Sequence, residues 1–353
     1  MAPHASVSSK PARATRIPTC RGDAVATDAM RDNDHVPALW EAGEWSAPAS
    51  PVGMRAAKPV QMSGVFGEGV SVAVSLTFDD ARASQLEGVR ILDDHGLRAT
   101  FYVLPSGVAA APDRWWSVAR LGHEIGNHSS THPCSANFDF AAANALEDHT
   151  MQDIADDVDA ATAMIQELIG VRPRTFAYPC GQSFTGRGRY RQSYVPIIAE
   201  RFVAGRGCGS EVGNLPESCD LAHLEGYTVD GLDAGELRSL VAAGMTRGEW
   251  VIMAGHDIGA DGPQTVSAPE LDRFCSSLIR DDRVWVAPVV EVAERVAGVT
   301  QSAVVDALSG SPPRRRRSHL GSRDLRPAPG GQPDRRPFQH HEHPPSSRRP
   351  GAS

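Results

Sequence analysis

Short apolar runs alternate with amphipathic segments between Val70 and Gly298, and no other feature of the sequence constrains the fold as strongly. An apolar run of about four to eight residues predicts a buried strand, whereas apolar residues spaced three and four apart predict a helix. One such helical stripe consists of Ile154, Val158, Ala161, Ile165 and Leu168. Strands and helices are therefore expected in turn along this part of the chain.

The pattern predicts strands at residues 70–78, 99–104, 124–127, 175–178, 224–229, 250–255 and 284–287. It predicts helices at residues 84–95, 113–121, 151–170, 194–202, 236–243, 269–279 and 290–296. Repeated strand–helix units predict a parallel sheet covered by helices, and seven or eight of them favour closure into a barrel. We therefore predict an α/β fold, a distorted (β/α)7-8 barrel.

The composition divides the 353 residues into three parts, and the 41% of hydrophobic residues is enough for a sizeable core. Residues 1–69 are rich in Pro, Ala, Gly and Ser and predict a loosely ordered N-terminal extension. Residues 70–298 predict one catalytic domain, because single α/β barrels commonly exceed about two hundred residues. Residues 299–353 are rich in Pro and Arg, which predicts a disordered tail because such a segment buries too little apolar surface to fold.

The net charge of −8 conceals an acidic body and a basic tail. Ten Arg and three acidic residues lie between Pro312 and Ser353, so the tail carries +7 and the first 311 residues carry −15. An acidic body argues against nucleic acid as the main partner. No stretch approaches the ~20 apolar residues of a membrane span.

The start of the sequence as it stands contains no apolar run of about 7–15 residues that would mark a signal peptide. We therefore expect a cytoplasmic protein if Met1 is the true start. The six cysteines form no Cys-x-x-Cys pair, and a chain of this length has no need of disulfide staples. We expect the cysteines to be free thiols.

Two adjacent carboxylates and two imidazoles are the strongest indication of chemistry. Asp79 and Asp80 end the first predicted strand, and His128 and His132 follow the third. One carboxylate and both imidazoles suit a divalent ion, and the other carboxylate is then free to act as a base. Taken singly, adjacent aspartates are also typical of a turn or a helix cap, and a His-x-x-x-His pair is often incidental.

Further polar or reactive residues follow other predicted strands, where the active sites of parallel barrels lie. A satisfied buried histidine and inert thiols are the plain alternatives for some of them. Convergence from distant sequence positions favours a single site. The residues concerned are Tyr178, Pro179 and Cys180 after the fourth strand, Asp230 and Asp233 after the fifth, and His256 after the sixth.

The order and spacing of these residues resemble the NodB-type polysaccharide deacetylases, carbohydrate esterase family four, over roughly Val70 to Val296. Thr77-Phe78-Asp79-Asp80 matches the first motif of that family without a change, and the segment from His128 to Pro133 matches the second. The resemblance implies the NodB homology fold and assigns Asp79 as the catalytic base. It implies a divalent metal, expected to be Zn²⁺, whose ligands are Asp80, His128 and His132.

The later motifs depart from the family. The third, Arg-x-Pro-x-Gly in the family, reads Ala177-Tyr178-Pro179-Cys180-Gly181, so the arginine that usually steadies the base is absent. Arg174 is a candidate to replace it. The resemblance directs the Cys180 N–H at the oxyanion and places Tyr178 and Pro179 on the substrate side. It also implies that His256 is the general acid and that Asp233 charges it.

The function implied is that of a metal-dependent hydrolase removing acetyl groups from N- or O-acetylated carbohydrate, and thus acting on non-peptide carbon–nitrogen bonds. An acetylated saccharide is the expected partner. Two alternatives stay open. One is a C–N hydrolase of a small cyclic amide, similar to an allantoinase. The other is a non-catalytic carbohydrate-binding relative, which the missing arginine favours.

Overall fold

The computed structural model describes residues 64–260 and 262–308, and over residues 300–308 it describes the backbone alone. Most of the predicted N-terminal extension and C-terminal tail lie outside the described residues, so the domain boundaries stay predictions. Two observations bear on them. Val65 and Phe66 are buried in the core, ahead of the predicted start at Val70, and the last helix continues to Leu308.

Eight parallel strands form the main sheet of the described residues, which confirms the predicted parallel sheet, and seven of these strands were predicted. Seven of them lie side by side in the order β7-β4-β3-β2-β1-β9-β8, and β12 pairs with the first residues of β1. Hydrogen bonds from the backbone of Leu224, just before β8, reach β7 and curl the sheet. The strands are β1 (Val72–Asp79), β2 (Thr100–Val103), β3 (Glu124–Asn127), β4 (Thr175–Ala177), β7 (Ala204–Arg206), β8 (Tyr227–Thr228), β9 (Trp250–Gly255) and β12 (Val284–Val286).

Helices follow most strands of the sheet, which confirms the predicted α/β, barrel-like class. The helices are α1 (Ala83–Asp94), α2 (Pro105–Ala110), α3 (Pro112–Arg120), α4 (Met151–Ile169), α5 (Val195–Arg201), α6 (Ala234–Arg247), α7 (Ala268–Leu278) and α8 (Val289–Leu308). Two short pairs lie apart from the main sheet. They are β5 (Phe184–Thr185) with β6 (Gln192–Ser193), and β10 (Asp257–Gly259) with β11 (Thr265–Ser267).

Helix α4 shows why the helices could be predicted from the sequence. It is the longest helix for which all side chains are described. Thr150 and Asp153 form a capping box at its start, and Gly170, at φ 69°, ends it in the left-handed conformation that glycine adopts easily. The predicted stripe is buried except for Leu168, which is partly exposed while Ile169 is buried in its place. One residue of drift is expected because 3.6 residues per turn do not repeat evenly.

Alternate residues of β1 face two different layers. Val72, Val74, Leu76 and Phe78 pack in the cluster between the sheet and the helices. Ala73, on the other face, packs inside the curl of the sheet, in a cluster to which β2, β4, β7 and β9 contribute Tyr102, Ala177, Ala204 and Trp250. Because side chains alternate along a strand, Asp79 continues the inner face of β1 and Arg206 continues the inner face of β7. Asp79 and Arg206 therefore meet because each lies on the inner face of its strand.

Two expectations are corrected. No strand was predicted at residues 204–206, where β7 lies. Cys134 and Cys180 form a disulfide rather than two free thiols. The cysteines that are free in the described part of the chain are Cys208, Cys219 and Cys275. Among the described helices, none combines the length and the apolar character needed to cross a bilayer.

Candidate active site

Polar side chains from several strands meet at the carboxyl ends of the parallel sheet, which is the edge where α/β proteins place their sites. These side chains come from positions far apart in the sequence but from neighbouring strands of the curl. They are Asp79 and Asp80 at the end of β1, His128 after β3, Arg206 at the end of β7, Asp230 after β8 and His256 after β9.

Asp80, His128 and His132 lie together, as predicted. Their ligand atoms lie within 4.8 Å of one another. Asp80 Oδ1 lies 3.5 Å from His128 Nε2 and 3.6 Å from His132 Nε2. Two imidazole nitrogens and a carboxylate oxygen that face one point are a typical donor set for Zn²⁺ at a catalytic site, where three protein ligands leave room for water and substrate. The residues therefore fit a divalent metal.

Neighbouring groups fix the orientation of these three side chains. His128 Nδ1 donates to the backbone oxygen of Ala177 at 2.9 Å, which leaves the Nε2 lone pair free for a metal. Arg82 donates to Asp80 Oδ2 at 2.8 Å and to Asp257 at 2.6 Å, so the second oxygen of Asp80 is held away from the histidines. Burial and the neighbouring charge of His128 lower the pKa of His132 to about 4, so its ring is neutral near pH 7.

Asp79 is buried and paired with Arg206. The guanidinium donates through Nη2 to Asp79 Oδ1 and through Nη1 to the backbone oxygen of Gly207 at 3.2 Å. It also lies 5.0 Å from the centre of the Tyr102 ring. Burial alone raises the pKa of Asp79, but the charges of Arg206, His128 and His256 outweigh it and lower that pKa below its ordinary value. The carboxyl is therefore a carboxylate at neutral pH.

His256 lies opposite, with Asp230 as its partner. Asp230 Oδ2 lies 2.6 Å from His256 Nδ1, and Asp230 Oδ1 accepts from the His256 backbone N–H at 3.0 Å. Burial lowers the pKa of His256, but the hydrogen bond to Asp230 and the nearby carboxylates outweigh burial and raise it. Gln85 donates to the backbone oxygens of both Asp79 and His256, and so ties the ends of β1 and β9 together.

Asp233, predicted to charge His256, does something else. Its side chain accepts from the backbone N–H groups of Gly235 and Glu236, and the Glu236 side chain accepts from the Asp233 N–H in return. Asp233 is therefore the N-cap of α6 in a capping box. Since its carboxylate is engaged at the helix start, the prediction was wrong by three residues, and Asp230 takes that place.

The segment after β4 also differs in part from prediction. The Tyr178 side chain is fully buried, donates its hydroxyl to the Ala222 backbone oxygen at 2.6 Å and packs against Tyr194, so it is a core residue rather than a substrate contact. Pro179 is buried too and begins a short 3-10 turn. Cys180 is half-buried in that turn, with φ 54°, and is bonded to Cys134.

Backbone strain is concentrated at this edge. Six non-glycine residues in the described part of the chain have positive φ, and five of them lie in the loops that form the site. The sixth, Gln264, bonds Arg82. Such conformations persist where the surroundings hold them and are frequent at functional sites. The five are Asp80, Ala81, Ser129, His132 and Cys180.

The reasoning from sequence missed three residues that support the site. Arg206 lies on the strand that was not predicted, while Arg174, the expected substitute arginine, pairs at the surface with Glu294 at 2.5 Å. Arg82 had a readable position, since it lies two residues after Asp80 and could reach the same carboxylate. Asp257 Oδ2 accepts from Arg82, and Asp257 Oδ1 accepts from the Ser84 hydroxyl.

Comparison with known proteins agrees with this geometry. Residues 68–193 match the family model of polysaccharide deacetylases. That segment includes Asp79 and the three residues that fit a metal, whereas Arg206, Asp230 and His256 follow it. A crystal structure from Mycobacterium smegmatis that is assigned to the polysaccharide deacetylases has a TM-score of 0.51 and 18% sequence identity, covering 69% of this chain and 94% of that one. At that identity the likeness concerns the fold.

Two relatives match shorter segments. The uncharacterized protein YlxY of Bacillus subtilis is 31% identical over 111 residues, and a chitooligosaccharide deacetylase of Rhizobium leguminosarum bv. trifolii is 40% identical over 62 residues. These segments are 31% and 17% of this chain, and each spans 29% of the relative's length. Residues 68–193 are therefore similar to a polysaccharide deacetylase domain, and the chain spans less than a third of the length of these two relatives.

Proposed function

We propose that the protein is a metal-dependent hydrolase that removes acetyl groups from N- or O-acetylated carbohydrate. One observation carries the proposal. A buried carboxylate held by Arg206, a three-residue ligand set and a histidine whose pKa is raised by Asp230 meet at one edge of the sheet. These would supply a base, a metal site and an acid, which together suit metal-assisted hydrolysis of an amide or ester.

Asp80, His128 and His132 would hold the metal, and the neutral state of His132 suits that role because only a neutral imidazole can ligate. When bound, a divalent ion supplies Lewis-acid polarisation of the acetyl carbonyl and acidifies water at the site. The donor set suits Zn²⁺, which prefers nitrogen and carboxylate ligands. Asp79 lies outside this ligand set, and its Oδ1 accepts from Arg206.

Asp79 would accept the proton of the attacking water. Its Oδ2 lies 3.9 Å from His128 Nε2, so the free oxygen of the carboxylate points towards the ligand set. Arg206 keeps the group ionised and fixes its rotamer, which matters because proton transfer requires a base held within hydrogen-bond reach of the water. The arginine whose absence favoured a non-catalytic relative is thus replaced from another strand.

His256 would donate a proton to the leaving group. Asp230 raises the charged fraction of the imidazole and accepts from Nδ1, so Nε2 is the atom that faces the substrate with a proton. An amine leaving group needs this proton more than an alkoxide does. The Cys180 N–H would donate to the oxyanion, a role for which a backbone group suffices whatever the side chain. One such donor is typically worth about 3–4 kcal/mol.

Purified protein loaded with zinc is to be incubated separately with chito-oligosaccharides, acetylated xylan and allantoin. Release of acetate from either saccharide is expected, with no opening of the allantoin ring. Opening of the allantoin ring would support the cyclic-amide hydrolase instead. Absence of reaction with all three substrates would support the non-catalytic relative.

Asp79→Asn serves as the matched control for this experiment, because it keeps the shape of the side chain and removes the base. We expect this variant to bind one equivalent of zinc and to lose most acetate release. Full turnover by Asp79→Asn would contradict the assignment of the base.

A further inference from the structure

Two loops of the site are joined by the disulfide between Cys134 and Cys180. The first, the ligand loop (residues 128–135), contains His128 and His132. The second, the oxyanion turn (residues 179–182), contains the N–H proposed to face the oxyanion. The two cysteines are 46 residues apart in sequence and 6.0 Å apart between Cα atoms. The bond therefore links the two sides of the site directly.

Each of the two loops contains a residue whose backbone has a positive φ, which L residues rarely adopt. His132 has φ 53° and Cys180 has φ 54°. Cys134 Sγ lies 3.6 Å from His132 Nδ1, so the sulfur also packs against the ring whose other nitrogen faces Asp80. Strained backbone persists only where its surroundings over-determine it. The disulfide is one of those constraints, and it acts directly on the residue that supplies the N–H.

A second, non-covalent link joins the same loops. The Ser135 N–H donates to Gln182 Oε1 at 2.7 Å, and the Ser135 hydroxyl donates to Glu147. The core on either side of the loops does not depend on the sulfur bridge, since Phe176 and Tyr178 pack with residues of α4 and α5. Opening the bridge is therefore expected to loosen the oxyanion turn without unfolding the domain.

The two sulfurs differ in access. Cys134 is completely buried, whereas Cys180 is only partly buried. A reductant from solvent would therefore reach the Cys180 sulfur first, with the Cys134 sulfur as the leaving group. Access to one sulfur is sufficient for reduction. A reductant in solution can therefore open the disulfide in the folded protein.

We propose that the Cys134–Cys180 disulfide is a redox-sensitive positioning element that holds the oxyanion turn against the ligand loop. The inference rests on the proposed function.

The reduction of the disulfide can be written with a phosphine as reductant. Phosphorus is oxidised to the phosphine oxide and takes its oxygen from water. Each sulfur gains one electron and one proton, so one disulfide, one phosphine and one water give two thiols and one phosphine oxide. The freed turn relaxes, and turnover falls while the ligand set remains.

The test compares zinc-loaded full-length protein before and after treatment with a water-soluble phosphine, which avoids the strong metal chelation of dithiols. Acetate release from chito-oligosaccharide, zinc content and the mass after thiol alkylation are measured on the same samples. We expect kcat to fall by about tenfold with little change in KM, less than the ~10²–10³ loss that follows removal of an oxyanion donor. Zinc stays at one equivalent, two further thiols become alkylated, and reoxidation restores kcat.

Two variants separate this bond from other thiols. The double variant Cys134→Ala/Cys180→Ala is expected to have the kcat of the reduced protein, and the phosphine is expected to leave that kcat unchanged. Cys219→Ala, which removes a free thiol elsewhere, is expected to respond to the phosphine as the unmodified protein does.

Several results would overturn the inference. They are full turnover after the two thiols have been released, alkylation of Cys134 and Cys180 before any reductant is added, and loss of zinc in parallel with activity. Uptake of a second zinc by the reduced cysteines would also overturn it, because the pair would then be a metal site together with His132. If the oxidised protein releases no acetate, the proposed function fails, and this inference fails with it.

Discussion

Arg206 donates to Asp79 across 127 residues of sequence, and both side chains are almost completely buried. The pair joins the end of β7 to the end of β1 inside the curl of the sheet. A buried charge pair of this kind is not evidence of high stability, because removing two ions from water costs about as much as their attraction returns. Its value lies in holding one carboxylate oxygen so that the other is aimed at the ligand set.

The first prediction concerns Arg206→Met. This change keeps the apolar stem and removes the charge, so Asp79 becomes a buried carboxylate without a partner. We expect the free energy of unfolding to fall by about 3–5 kcal/mol, as when one member of a buried ion pair is removed, and acetate release to be lost at pH 7. Denaturant titration and a rate assay measure the two effects.

Arg174→Met is the matched control for Arg206→Met. Arg174 pairs with Glu294 at the surface, where both side chains are about half exposed. Exposed ion pairs contribute about 0–1 kcal/mol, so stability and activity should hardly change. If Arg174→Met were the variant that lost activity, the assignment of Arg206 to the base would be wrong.

The second prediction concerns the Asp230→Asn variant. Asp230 raises the pKa of His256, so the uncharged amide should let that pKa fall. The acid must be protonated to act, and its protonated fraction declines as pH rises through its pKa. The alkaline limb of the profile of kcat/KM against pH should therefore move to lower pH in the variant. A profile with an unmoved alkaline limb would exclude His256 as the acid that limits the rate.

The third prediction concerns the Asp233→Ala variant, which tests the corrected assignment. Loss of the N-cap should destabilise α6 and the protein by about 1 kcal/mol. The alkaline limb should stay where it is, because Asp233 does not contact His256. Thermal unfolding and the same pH profile are the measurements. A shifted limb in Asp233→Ala with none in Asp230→Asn would reverse the correction.

The residues that sequence reasoning found are those with a local signature. Asp79 and Asp80 are adjacent at the end of a long apolar run, and His128 and His132 are close together after a strand, so spacing alone indicated a site. Asp233 could have been recognised as well. An aspartate followed three residues later by glutamate, before an apolar helix, is a capping signature. That signature favoured a helix start over a catalytic role.

The residues that were missed depend on tertiary structure. The three residues of β7 include a glycine and an arginine, so no apolar run marks it, and it is a strand because β4 pairs with it. Arg206 therefore had no local pattern that could place it beside Asp79. The disulfide was missed for a related reason. Chain length indicates whether a fold needs disulfides for stability, but it does not indicate which cysteines lie close together. The Cys134–Cys180 bond joins two loops that only the tertiary fold brings together.

The fourth prediction concerns Arg82→Ala. Arg82 holds the second oxygen of Asp80 and is itself held by Asp257, so its loss should free the Asp80 carboxylate to rotate. Loss of such a supporting contact typically costs about 10–100-fold in metal affinity. Competition with a zinc chelator measures it. Arg90→Ala, which removes an exposed arginine from α1, the helix that begins just after Arg82, should leave zinc affinity unchanged.

The fifth prediction concerns zinc and His128→Ala. A metal that binds the folded chain but not the unfolded chain stabilises the fold. The gain is about 2.7 kcal/mol when the free metal concentration is one hundred times the dissociation constant. The unmodified protein should therefore unfold at a higher temperature with zinc than after treatment with a chelator. His128→Ala removes one of three ligands and should show neither the shift nor stoichiometric zinc. His95→Ala, at the far end of α1, should keep both, since His95 pairs with Asp272. One equivalent of zinc in purified His128→Ala, found by elemental analysis, would show that the ion is held elsewhere.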